Sequence, residues 1–158
     1  MDKALDKINL IKMHSFKDSK ILPYKAELIN NIILDIEKYP DFLPWCSEGT
    51  ILSKSKDEII AELIINFKTF TESYTSRIIT SKDKGNYNIN VEAISGPFKT
   101  LKNFWRIEKL NNSCKVNFSI DFEFKSMILD VVVGTFFSIA VDKMINAFET
   151  RAAHLSKK

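Results

Sequence analysis

The clearest pattern in the chain is an alternation that runs from Lys115 to Phe124 and leads directly into a long apolar segment. Val116, Phe118, Ile120, Phe122 and Phe124 share one side of an extended strand; Asn117, Ser119, Asp121 and Glu123 share the other. Successive side chains of a strand point to opposite faces, so this segment predicts a sheet with one dry and one wet face. The same period recurs in Ile59, Ala61, Leu63, Ile65 and Phe67, and in Tyr87, Ile89, Val91 and Ala93. Strands are expected at 14–22, 46–54, 58–68, 70–81, 87–95, 100–109 and 114–125. From the second strand onward the breaks are Lys56-Asp57, Lys82 to Asn86, Gly96-Pro97 and Asn111-Asn112, all turn-forming chemistry. Short turns between consecutive strands predict an antiparallel meander.

Two other stretches carry a helical period. Between Lys25 and Lys38, Leu28, Ile32, Ile33 and Ile36 fall on one side, and Tyr39-Pro40 is expected to end the helix. Pro40 to Trp45 then has room for a short helical turn at most. From Ser126 to about Leu155 there is no proline. Leu129, Val133, Phe136, Phe137, Ala140, Met144, Ala147 and Phe148 fall on one wide face there, with Thr135, Ser138, Asp142, Asn146 and Glu149 opposite. Ile128 and Val131 interrupt the polar arc, which implies a partner, a ligand-entrance lip or a membrane surface at that end. Strand, two helices, six strands and one long helix predict an α+β fold in which a curved sheet grips the terminal helix. The expected organisation is an N-terminal extension at 1–12 and one domain at 13–158.

Composition narrows the function. At 158 residues the chain suits one substantial core. Twelve Phe against four Tyr and two Trp supply bulk without polar handles, which suits a dry core or a lipid-lined pocket. A net charge of +3 with no long basic run gives no nucleic-acid arm. Cys46 and Cys114 form neither a CxxC nor a disulfide framework, so a reducing cytoplasm is expected. Met1 to Lys12 carries Asp2 and Asp6 and no long apolar run, unlike a signal peptide. Met127 to Val141 is broken by Asp130 and falls short of the ~18–20 residues of a membrane span, so any membrane contact is expected to be peripheral, at the inner membrane.

Catalytic constellations are missing from the sequence. His14 and His154 lie near opposite ends and are expected to be exposed. The four glycines form no phosphate loop, and no serine sits in a Gly-x-Ser-x-Gly elbow. Asp121 and Glu123 belong to the wet face, and Asp130 suits the helix dipole in a first turn. No metal, cofactor or enzymatic activity is expected.

Two segments stand apart. Tyr39-Pro-Asp-Phe-Leu-Pro-Trp-Cys46 is a proline-stiffened, aromatic link between helix and sheet. It reads either as a plug closing one end of the core or as a rim around a cavity mouth. Gly96-Pro-Phe-Lys-Thr-Leu-Lys-Asn-Phe-Trp105 reads either as a tight strand corner or as part of a pocket wall. Together with Leu22-Pro23-Tyr24, Asp121-Phe-Glu-Phe124 and the terminal Phe136, Met144 and Ala147-Phe148, they resemble the coenzyme Q-binding START-domain family. Bacterial members of that family are also called ribosome association toxins, and it lies within the polyketide cyclase-like superfamily.

The resemblance spans about residues 14–154. It implies a helix-grip fold: a seven-stranded antiparallel sheet around a C-terminal helix, with two small helices between the first two strands. It also implies two roles. One is non-catalytic binding of ubiquinone or a polyprenylated intermediate, supporting respiration or quinone biosynthesis. The alternative is binding of the large ribosomal subunit, which blocks subunit association. For a lipid, the candidate lining is Phe98, Leu101, Trp105, Phe118, Phe122, Val133, Phe136, Phe137 and Ala140, with Phe42, Leu43, Pro44 and Trp45 as the rim.

Overall fold

A computed structural model describes residues 13–67 and 69–157; the extension at 1–12 lies outside the described residues. The chain begins with β1 (His14–Leu22), followed by α1 (Ala26–Leu34), a 3₁₀ turn (Ile36–Lys38) and α2 (Tyr39–Phe42). Six strands come next: β2 (Cys46–Lys54), β3 (Glu58–Phe67), β4 (Phe70–Asp83), β5 (Asn86–Ser95), β6 (Phe98–Lys109) and β7 (Cys114–Phe124). The last element is α3 (Met127–Ser156).

All seven strands form one antiparallel sheet in the order β1-β7-β6-β5-β4-β3-β2. Strands β2 to β7 are the expected meander, and β1 closes the far edge by pairing with β7, with His14 opposite Phe122. The β4–β5 hairpin turns through Lys84 (φ 54°) and Gly85 (φ 85°). Two successive positive φ values are the geometry that matches the twist of the flanking strands.

The first helical stretch departs from expectation. It breaks at Asp35 into α1 and the 3₁₀ turn, and Pro40 opens α2 rather than ending a helix. A proline in a first turn removes only an N–H that has no helical partner. Helix α3 starts where the pattern placed it, because the Ser126 hydroxyl accepts a hydrogen bond from the Leu129 amide at 3.3 Å.

The helices cover the concave face of the sheet, and two apolar clusters lie between them. Ile29, Ile32 and Ile33 of α1 and Ile36 of the 3₁₀ turn meet Ile59, Ile78, Ile89 and Ile107 of the sheet and Val141 of α3 in the larger cluster. Under the first half of α3, Leu129 joins Leu101, Phe122 and Phe124, with Phe98, Val133 and Phe137 packed alongside. This is the helix-grip architecture.

His14 departs from its expected exposure, while Asp130 stands in the first turn of α3 as expected. His14 and Asp130 are not surface groups: their side chains are 15% and 8% exposed, and His14 Nε2 lies 2.6 Å from Asp130 Oδ1. The imidazole sits among Phe122, Phe137 and Phe124, at centroid distances of 5.1, 5.7 and 6.4 Å. Gly134 makes room for it, since a Cβ there would fall 2.9 Å from His14 Cε1. The outward side of α3 is as apolar as expected, with Ile128 67% and Val131 64% exposed. Among the described residues, no helix is long and apolar enough to cross a membrane.

Candidate functional site

Between the sheet and the second half of α3 lies a cavity of about 180 Å³. The strands contribute Ala61, Leu63 and Ile65 from β3, Tyr74, Ser76 and Ile78 from β4, and Ile89 and Val91 from β5. Leu101, Asn103 and Trp105 of β6 and Phe118 and Ile120 of β7 continue the wall. Ile33, Ile36 and Tyr39 close it on one side and Met144 and Phe148 of α3 on another. Among the described residues, no Asp, Glu, His, Lys or Arg lines it.

Six of the thirteen residues proposed from sequence border this space: Leu43, Pro44, Trp45, Leu101, Trp105 and Phe118. The other seven do not. Phe98, Phe122, Val133 and Phe137 belong to the solid cluster under the first half of α3, where stacked and edge-to-face rings fill the volume. Phe42 packs edge-to-face on Tyr39 and Phe148, with Arg151 over its ring at 5.2 Å, so it behaves as a plug. Phe136 and Ala140 face an outer cleft of about 160 Å³ together with Trp45, Phe67, Ile139 and Lys143. The molecule is therefore filled beneath one half of its helix and hollow beneath the other.

Trp45 separates the two spaces, lining both the inner cavity and the outer cleft. Its backbone takes φ 65°, a left-handed conformation that non-glycine residues rarely adopt. The Asn66 amide donates to the Trp45 carbonyl at 2.6 Å and holds it there. The indole then meets Phe67 at 5.5 Å, and Phe67 meets Phe136 at 6.1 Å. Three aromatic rings, from the α2–β2 link, β3 and α3, thus span the outer side of the cavity.

The cavity's polar groups are few. The Tyr39 hydroxyl donates to the Ile33 carbonyl, and the Cys46 thiol to the Glu48 carbonyl at 3.5 Å. Asn103 uses both ends of its amide: Nδ2 donates to the Ser119 carbonyl and Oδ1 accepts from Trp105 Nε1, each at 2.9 Å. Burial pushes the Tyr39 hydroxyl and the Cys46 thiol above their ordinary pKa values, and it pushes Tyr74 up to about 12. All three therefore stay protonated at neutral pH. Among the described residues there is no group of three or more His, Cys, Asp or Glu side chains placed to hold a metal.

Sequence reasoning missed Tyr74 and Ser76. Both share the parity of buried Ile78 on β4, and that was the available signal.

Comparison with known proteins agrees with the helix-grip fold. The ribosome association toxin RatA of Rickettsia prowazekii is 44% identical over 146 residues, covering 92% of this chain and 100% of that protein. The mitochondrial coenzyme Q-binding protein COQ10 homolog B of Xenopus laevis is 29% identical over 149 residues, 91% of this chain and 60% of that one. The solution structure of an 18 kDa protein from Caulobacter crescentus is 31% identical and superimposes with a TM-score of 0.72, covering 92% of this chain and 99% of that one. A family model described as polyketide cyclase/dehydrase and lipid transport matches residues 22–149. The chain belongs to the polyketide cyclase/dehydrase and lipid transport family.

Proposed function

We propose that the chain binds ubiquinone, or a polyprenylated intermediate of it, without transforming it, in support of respiratory electron transport or quinone biosynthesis. The observation that carries this reading is the cavity: about 180 Å³, walled mostly by apolar side chains and, among the described residues, free of charged ones. Its size suits one ring, since an apolar cavity of ~150 Å³ binds benzene. It is smaller than the ~300–1,000 Å³ of most ligand pockets, so a long tail has to lie elsewhere. The outer cleft beyond Trp45 offers Ile139, Ala140 and Phe136 for that purpose. Each methylene removed from water there contributes ~0.8 kcal/mol. The resemblance to a protein named for coenzyme Q binding supports the same reading.

Protein purified from a quinone-producing host is expected to release a polyprenyl quinone on organic extraction, detected by mass spectrometry. Ala61→Leu places extra methyl groups in the cavity from a buried wall position. It is expected to lower loading about tenfold with little change in melting temperature, because the side chain grows into open space. Extracts without quinone from both proteins would sink the reading.

A second reading rests on a different observation. The Rickettsia relative, matched over its whole length, is named for ribosome association. Under this reading the chain binds the large subunit and blocks pairing with the small one. Adding purified protein to ribosomes is then expected to raise free subunits at the expense of monosomes in a sucrose gradient. An unchanged ratio removes it.

A further inference from the structure

We infer that the hydroxyls of Tyr74 and Ser76 form the recognition point for a carbonyl-bearing ring, which sits in the cavity head first. The inference rests on the proposal that the chain binds a quinone-type lipid, and it adds which atoms select the head group.

Tyr74 and Ser76 alternate with Thr75 along β4, so both point from the concave face into the cavity. Ser76 is only 3% exposed. Among the described residues, neither Tyr74 Oη nor Ser76 Oγ has a hydrogen-bond partner in the protein. Among those same residues, no wholly enclosed side-chain nitrogen or oxygen is left without a partner. The two oxygens therefore open onto the hollow space.

The contrast with their neighbours is the core of the argument. Tyr39, Cys46 and Asn103 line the same cavity, and each gives its donor to a backbone carbonyl. Tyr74 and Ser76 carry the hydroxyls in this wall whose donors no protein group takes, among the described residues. A hydroxyl on an apolar wall is costly without a partner, so a ligand that supplies an acceptor is favoured over one that does not. A ring carbonyl is such an acceptor. Burial keeps the Tyr74 proton in place, with its pKa pushed up to about 12, so it donates throughout the neutral range.

The neighbouring chain holds Tyr74 in position. Gly96 takes φ +125° and lies so close that a Cβ there would fall 2.9 Å from both the Ser73 carbonyl oxygen and Tyr74 Cα. Phe98 meets the Tyr74 ring edge-on at 5.1 Å. The Gly96-Pro97-Phe98 corner therefore acts as the support that positions Tyr74.

The test compares two ligands on the full chain. One is a ubiquinone with two isoprene units; the other is geranylbenzene, which has a ring and tail of similar shape but no oxygen. Quenching of Trp45 and Trp105, which line the cavity, reports binding of each. The double variant Tyr74→Phe with Ser76→Ala deletes two oxygens and little volume. It is expected to bind the quinone about tenfold or more weakly than the parent and geranylbenzene equally well. Each single variant falls in between and serves where the double variant unfolds. Equal quinone affinity in parent and variants overturns the head-group inference while leaving the lipid reading standing. A parent that binds neither ligand overturns both.

Discussion

Asp130→Ala is expected to destabilise the protein by about 3 kcal/mol or more, measured by chemical denaturation. The carboxylate is 8% exposed and is the partner of His14 at 2.6 Å. Without it the imidazole nitrogen is stranded among the rings of Phe122, Phe124 and Phe137, where no other side chain offers a hydrogen bond among the described residues. The cost comes from leaving one member behind rather than from the pair's own strength. His14→Phe combined with Asp130→Leu removes both members and is expected to recover much of the loss, since matched apolar replacement is often close to neutral. A double variant no better than Asp130→Ala would show that the pair is not the source of the effect. The pair also joins β1 to α3, so its loss is expected to loosen the start of the helix first. Hydrogen exchange at residues 127–135 is expected to accelerate before exchange in β3 and β4.

Gly96→Ala is expected to cost about 4 kcal/mol, the sum of an unfavourable φ and a forced backbone shift. The residue holds φ +125° and faces the Ser73 carbonyl and the Tyr74 backbone at distances a real Cβ does not tolerate. Neither obstacle is a flexible side-chain tip, so relief requires moving β4 or the β5–β6 corner. Thermal denaturation measures the cost. Under the ligand reading, the same substitution displaces Tyr74 and weakens quinone binding more than geranylbenzene binding. Equal weakening of both would mark the corner as structural support only.

The strands were legible because their chemistry is local. Alternation in β3, β5 and β7 identifies the inward residues, and Lys56-Asp57, Gly85-Asn86 and Asn111-Asn112 mark the turns. The helical link was harder to read. Pro40 both ends and starts helices, and only the break at Asp35 decides between the two. Helix α3 hid its orientation, because Met127 to Ala140 is apolar on nearly every side. Phe136 therefore looked like interior and is in fact on the outer cleft. The location of the hollow was hidden for a related reason. Phenylalanines fill space as readily as they border it: Phe122 and Phe124 of β7 and Phe137 of α3 fill it, whereas Phe118 of β7 borders the cavity. Much of the cavity's remaining border is made by smaller aliphatic side chains of β3 to β5, such as Ala61 and Val91, whose alternation signals only burial. His14 shares the parity of Phe16, a sign of inward direction that its polarity masks.

The pairing of β1 with β7 has a consequence for how the molecule is made. Strands β2 to β7 are joined in series, so each can zip onto its predecessor as it emerges during translation. The first strand has no such neighbour: its mate begins at Cys114, and until that segment is synthesised its amides have no sheet to join. Closing so long a loop is slow compared with forming a hairpin. Strand β1 thus waits, unpaired, until β7 has been synthesised, and the sheet is sealed by the strand that was made first.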